Sequence, residues 1–317
     1  MTIFDDIRTS CAAVADAATH VRIVPERITA FAGELDLDTA RNDPGQDRMG
    51  SEETATAFVL ALDAINFGSG YFPYIRKRPK MSGYHTIANS LRDHVADTGG
   101  LTTQRLAAWT VDDAAATFGQ VLDGGLAHEL MELFTQAWHD LAAFVDRVGG
   151  GSFAATVAAA DGSAATLVEM LAEMPFFRDV HTHPAVGPVH LYKRAQIVVQ
   201  DLHVTFAGAG PGRFTDRREL TMFADNLVPH VLRVEGVLEF ADDLVRRIEA
   251  VDDIPLGSPE EVEIRACGLH AVELLRNRLA DHGTRITAGD LDNVLWNLGA
   301  GPRYKSVPRH RTRCVFY

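Results

Sequence analysis

Apolar residues recur along most of this chain at three- and four-residue spacing, the period of an amphipathic helix. SEETATAFVLALDAINF opens on Ser51, an N-cap type of residue, has acidic residues in its first turn, and runs toward Gly68 and Gly70. ELMELFTQAWHDLAAFVDRV, residues 129 to 148, repeats the pattern and stops at Gly149-Gly150-Gly151. SAATLVEMLAEM starts at Ser163 and halts before Pro175. SPEEVEIRACGLHAVELLRNRL places Ser258 as cap, Pro259 at the first helical position and Glu261 where a capping box would have it. TAGDLDNVLWNL runs from Thr287 to Gly299. Strand signals are sparse. IVVQDLHVTF is rich in β-branched residues, but the polar spacing of Gln196 and Gln200 fits a helix better. The stretches 185–188 and 207–216 read as turns, and no repeat or low-complexity tract interrupts the chain. The pattern predicts a mainly α fold, a single compact helical domain over residues 1–317 with two lobes around a cleft.

Composition narrows the function. The 317 residues are 46% hydrophobic and 23% charged, values of a soluble protein with a substantial core. No apolar run approaches the roughly 18 residues of a membrane helix. MTIFDDIRTSC lacks the apolar stretch of a signal peptide, so the expected location is cytoplasmic. A formal charge of −13 opposes DNA or whole RNA as partner and leaves a small nucleotide as the compatible polyanion. Three widely separated cysteines, Cys11, Cys267 and Cys314, predict reduced structural thiols. No obligate protein partner is evident.

Five stretches carry candidate chemistry. In LTMFADNLVPHVL, Leu220, Phe223, Ala224 and Leu227 form an apolar face that Asp225 and Asn226 interrupt just ahead of Pro229. Burial of an unpaired charge is costly, so Asp225 is either a helix cap or a functional carboxylate, and the residues alone leave both open. In LDAINFGSGYFP, Asp63, Asn66 and Phe67 stand at i, i+3 and i+4, which on a helix gathers a carboxylate, an amide and a ring suited to a planar heterocycle. A helix end with a buried ring accounts for the same pattern. In HLYKRAQIVVQDL, Lys193, Gln200 and Asp201 share a stripe opposite Ala195, Val198, Val199 and Leu202, and this stripe is either a phosphate-binding or a solvated face. DVHTH resembles the metal-binding H-x-H of amidohydrolase barrels, which makes a metal-dependent hydrolase using His181 and His183 the rival reading; without strand–helix alternation around it, the pair is expected in a loop. The tail holds Arg303, Lys305, Arg309, His310, Arg311 and Arg313, a patch that either binds one phosphate or docks on the acidic body.

Together LDAINFGSGYFP, LYKRAQIVVQDL, LTMFADNLVPHVL, EIRACGLHAVELL and LWNLGAGPRYKSVPRHRTRCVFY resemble, in order from about residue 15 onward, the queuosine salvage proteins, the queuosine 5′-phosphate N-glycosylases. The resemblance implies a fold similar to helix-hairpin-helix DNA glycosylases, although LRVEGVLEF offers only Gly236 of a backbone-gripping hairpin. It implies hydrolysis of queuosine 5′-monophosphate to queuine and ribose 5-phosphate, with no metal or organic cofactor, as salvage of a base from degraded tRNA. It implies Asp225 and Lys193 as catalytic residues. Asp63, Asn66, Phe67, Asp201, Arg265, Glu263 and His230 follow as substrate-binding positions, with an internal ion pair an equal reading for Glu263 and Arg265. Lys193 would hold the phosphate or stabilise the leaving base, or form a Schiff base by analogy with bifunctional DNA glycosylases. A substrate carrying a different 7-deazaguanine is a further alternative. Eukaryotic members tend to read F-A-D-Y-R-V-P-Q, where this chain has Asn226, Leu227 and His230 in place of the aromatic, basic and amide residues.

Overall fold

The helix Pro259–Asp281 shows how this sequence folds. Pro259 at its first position needs no N–H, and Ser258 accepts the Glu261 N–H at 3.3 Å. Glu261 does not close the expected capping box. Its carboxylate instead accepts the N–H of Gly257 (3.1 Å) and meets Arg265 one turn on. The helix is buried around most of its circumference, with Val262, Ile264, Ala266, Cys267, Leu269, Ala271 and Val272 all sealed. Such a helix has no solvent stripe and must be enclosed by other elements.

The computed structural model describes residues 2–37 and 48–317. Among the described residues there are 15 α-helices and four short strands, so the chain is mainly helical, as its periodicity predicts. They group into two compact units.

The first unit takes the described residues of 1–41, 179–196 and 216–313. Pro259–Asp281 is its centre, packed by the helices Ile3–Ala17, Pro25–Glu34, Leu227–Val234 and Ala288–Gly299. Two small antiparallel ribbons complete it. Val21–Ile23 pairs with Leu238–Phe240, and Val180–His183 pairs with Gly187–His190. The DVHTH segment is therefore a strand rather than the loop expected for it. Three- and four-residue strands are too short for alternation to register. LRVEGVLEF passes from helix through Gly236, at φ 72°, into strand.

Gly268 permits one close approach. A Cβ there would stand 2.9 Å from Pro229 Cγ, so this mid-helix glycine is what lets the first turn of Leu227–Val234 lie against the central helix.

The second unit takes the described residues of 42–178, 197–215 and 314–317. Leu126–Gly149 is its long helix, ending with Gly150 in the left-handed region. It buries Leu130, Phe134, Trp138 and Leu141, and the Trp138 indole donates to the Ala61 carbonyl at 2.8 Å. Glu52–Ala64 starts as predicted, with Ser51 accepting the Thr54 N–H. It ends at Ala64, earlier than the glycines suggest. IVVQDLHVTF lies in the helix Lys193–Thr205, as its polar spacing predicts.

Candidate active site

Asp225 precedes the helix Leu227–Val234. Its Oδ1 accepts the N–H groups of Leu227 (2.7 Å) and Val228 (3.2 Å), two of the donors that a helix start leaves without intrahelical partners. Its Oδ2 makes no hydrogen bond among the described residues, and the residue is only half-buried. The two readings of Asp225 are thus compatible: one oxygen caps a helix while the other is uncommitted. Pro229 sits in the first turn, where its missing N–H costs nothing.

A buried ion pair fixes the backbone on either side. Arg265 donates from Nη1 and Nη2 to the two oxygens of Asp179 at 3.0 and 2.5 Å, a bidentate pair with both side chains sealed from solvent. The third arm of the guanidinium, Nε, donates to the Ala224 carbonyl at 2.8 Å, immediately before Asp225. On the other side Asp179 accepts the backbone N–H of Lys193 at 3.2 Å. Burial alone would raise the Asp179 carboxyl. The Arg265 guanidinium overrides it and holds the group well below the usual carboxylate range. One ion pair therefore ties together the segments carrying Lys193 and Asp225.

Gln196 adds a second tie. Its Oε1 accepts the N–H of Thr221 at 2.9 Å, and its Nε2 donates to the Leu191 carbonyl at 3.0 Å. The stripe, for which a solvated face was one of two readings, is closed in: Lys193 is 5%, Gln200 7% and Asp201 7% exposed.

Sequence reasoning missed Asp292. It lies within Ala288–Gly299, 4% exposed, and its Oδ1 accepts the Phe223 N–H at 2.9 Å. Burial first, and the neighbouring Asp225 carboxylate second, raise its pKa well above the ordinary value, against the opposing pull of Lys193. The signal was present: Asp292 sits in an apolar helical run between Leu291, Val294 and Leu295, just as Asp225 sits in its own. Asp179 was visible only as the start of a metal-like motif.

The C-terminal cations sort themselves. Arg303 pairs with Glu235 (2.9 Å) and Arg313 with Asp253 (2.8 Å), while the Arg311 carbonyl takes the Ile254 N–H. These dock the tail. Arg309 makes no hydrogen bond or ion pair among the described residues, is exposed, and acts electrostatically on Asp225. The tail also accounts for part of the NLVPH segment. Asn226 donates to the His310 carbonyl at 3.4 Å, and His230, 2% exposed, donates from Nε2 to the Tyr304 carbonyl at 2.9 Å.

The remaining predicted positions have internal partners. Glu263 accepts the N–H groups of Thr19 (3.1 Å), His20 (2.6 Å) and Val21 (3.0 Å) and meets His183 at 3.4 Å. His181 Nε2 lies 2.9 Å from Asp179. Among the described residues no group of three or more His, Cys, Asp or Glu is arranged to hold a metal ion, so the His181/His183 pair gains no third ligand. In the second unit Asp63 is sealed and accepts from Asn66 Nδ2 at 3.2 Å. The helix ends before Asn66, so the three residues do not share a helical face; a turn brings the amide to the carboxylate. Phe67 is buried edge-on against Phe134 and Phe176.

Residues 46–317 match the model of a family described as queuosine salvage protein. The chain belongs to the queuosine salvage protein family. A Sphaerobacter thermophilus relative, called queuosine 5′-phosphate N-glycosylase/hydrolase, is 38% identical over 270 residues, 84% of this chain and 82% of that one. A Dictyostelium discoideum relative of the same name is 31% identical over 267 residues, 84% and 79% of the two chains. In this queuosine salvage protein, the Asp225 carboxylate, the buried Asp179–Arg265 ion pair and Arg309 all lie in the first unit. Among the described residues no helix is long and apolar enough to cross a membrane.

Proposed function

We propose that this queuosine salvage protein hydrolyses the N-glycosidic bond of queuosine 5′-monophosphate, releasing queuine and ribose 5-phosphate. The observation that carries the reading is the Asp225 carboxylate, with one oxygen locked by two helix N–H groups and the other uncommitted. The names of the relatives supply the substrate class.

As the bond breaks, its electron pair leaves with the base and positive charge develops on the ribose. A fixed carboxylate stabilises that charge without reorganising, and it orients or deprotonates the water whose oxygen bonds to C1′. The water's remaining proton balance is met at the departing base nitrogen. A 7-deazaguanine has no N7 to protonate, so the leaving base must be stabilised at its other edges. Lys193, with its ammonium acting electrostatically on Asp292, belongs with the catalytic carboxyls or the phosphate. Simple hydrolysis needs no Schiff base, metal or organic cofactor.

For the substrate's phosphate we select Arg309, because it acts electrostatically on Asp225 while the side chains of Arg303 and Arg313 are held in ion pairs. Arg309→Ala is expected to raise KM for the 5′-monophosphate about tenfold and to narrow the preference for nucleotide over nucleoside. An unchanged preference would remove Arg309 from this role. The reading as a whole is tested by product analysis: queuine and ribose 5-phosphate should appear in equal amounts, at a rate indifferent to chelator. Binding without release would favour a non-catalytic nucleotide-binding module, and loss of activity on chelation would favour the metal-dependent reading.

A further inference from the structure

Among the described residues five large apolar side chains are exposed, and three of them, Tyr74, Met81 and Val121, gather at one loop of the second unit. The loop, residues 71–82, is held in one shape. Ile75 is buried, and Pro73 and Pro79 each fix a backbone angle. Gln120, beside Val121, grips the loop with both ends of its amide: Oε1 accepts the Arg76 N–H at 2.8 Å and Nε2 donates to the Arg76 carbonyl at 2.9 Å. The Arg78 N–H donates to Thr86 Oγ1 at 3.1 Å. A surface already ordered in this way loses little conformational entropy when something docks on it.

The charges around this apolar centre have both signs. Arg76, Lys77, Arg78 and Lys80 fall within five residues of a chain whose formal charge is −13. Arg78 is taken by Asp93 at 2.7 Å. Arg76, Lys77 and Lys80 are exposed and make no ion pair among the described residues. Acids border the same loop. Tyr71 donates its hydroxyl to Glu129 at 2.7 Å, Glu132 stands one turn further along Leu126–Gly149, and Asp123 lies two residues past Val121. All three acids are exposed.

We propose that this face docks a second copy of the chain through a two-fold contact. Tyr74, Met81 and Val121 of the two copies meet at its centre, and the free cations of each copy face Asp123, Glu129 and Glu132 of the other. A two-fold axis apposes a surface with itself, so a face carrying both signs of charge around an apolar centre is its own complement. A phosphate polymer or an anionic lipid surface would meet the acids together with the cations. Tyrosine, methionine and arginine are also the residue types that protein interfaces favour. Asp225, Lys193 and Arg309 belong to the first unit and supply nothing to this surface.

Sedimentation velocity of the full chain over a concentration series reads the dimer constant. Two charge reversals are compared, Arg76→Glu with Lys77→Glu in one variant and Glu129→Lys with Glu132→Lys in the other. Each alone apposes like charges at both halves of the contact and is expected to weaken dimerisation at least about tenfold. An equimolar mixture sets the reversed loop of one variant against the reversed acids of the other, and intact against intact at the second half. It should restore a heterodimer to within about threefold of the wild-type constant. Restoration by mixing excludes misfolding as the cause of either loss. Tyr74→Ser removes the apolar centre without touching a charge and should weaken the dimer about tenfold. A wild-type chain that stays monomeric across the series, a dimer constant unmoved by all three variants, or a mixture no more dimeric than its components would each overturn the proposal. A monomer that binds phosphatidylserine vesicles or single-stranded RNA through Arg76 and Lys77 would also overturn it, assigning the face to a polyanion.

Discussion

At the scale of single residues, the site depends on how few groups do several things. Arg265 spends two nitrogens on Asp179 and a third on the Ala224 carbonyl, so it neutralises a buried carboxylate while fixing the backbone beside Asp225. Lysine cannot reproduce that planar fork. Arg265→Lys is expected to cost about 1–3 kcal/mol in stability, as hydrogen bonds to charged groups do, and to lower kcat more than about tenfold, read by thermal unfolding and steady-state kinetics. A variant of wild-type kcat would show that Asp225 does not need this anchor. The same scale shows what one chain can reveal. A carboxylate in an apolar run was a readable anomaly at Asp225 and equally at Asp292, because local periodicity exposes it. That both lie together is tertiary information, supplied by the Phe223 N–H, and no spacing encodes it. The burial of Lys193 and Asp201 was equally hidden, since a polar stripe looks the same whether water or protein faces it.

At the scale of elements, helices were legible and strands were not. Caps at Ser51, Ser163 and Thr287 accept the N–H groups of Thr54, Thr166 and Asp290, as their residue types predict. The ribbons at 21–23 with 238–240 and 180–183 with 187–190 are defined by long-range pairing across few residues. Pro229 and Gly268 form a further long-range device. Alanine at 268 would favour a helix by about 1 kcal/mol, yet its Cβ would stand 2.9 Å from Pro229 Cγ. Overpacking of this kind costs about 1–3 kcal/mol. Gly268→Ala is therefore expected to lower the thermal midpoint in the wild-type background and to raise it in Pro229→Ala, a change of sign that a double-mutant cycle measures. Additive effects would mean that the contact does not couple the two helices.

At the scale of the whole molecule, an acidic chain keeps several buried ionisable groups whose protonation differs on unfolding. Burial, with Arg309, His230, Arg265 and Arg233, pushes the His310 imidazole down to about 3. Burial also lowers His230. An unfolded histidine binds its proton near pH 6.5, so below that value the unfolded chain takes up protons that the native one refuses, and these two groups make stability fall with pH. Asp179 behaves differently. Its depressed pKa contributes stability that is full above about pH 3.9 and lost only as pH drops toward its folded value. Asp292 opposes the histidines, since its raised pKa favours the native state as pH falls. His310→Asn isolates the first effect: the variant's midpoint minus that of wild type should rise as the pH is lowered from about 7 to about 5. A difference independent of pH would mean that His310 takes up its proton equally in the native and unfolded states.

We assign glycosidic cleavage to the Asp225 carboxylate. Base release from queuosine 5′-monophosphate by Asp225→Asn tests it most directly, alongside a check that the variant remains folded. Asparagine can still accept the Leu227 and Val228 N–H groups, so the fold should persist, while turnover should fall by at least about a thousandfold. Release of queuine by the folded variant at near the wild-type rate would contradict the assignment.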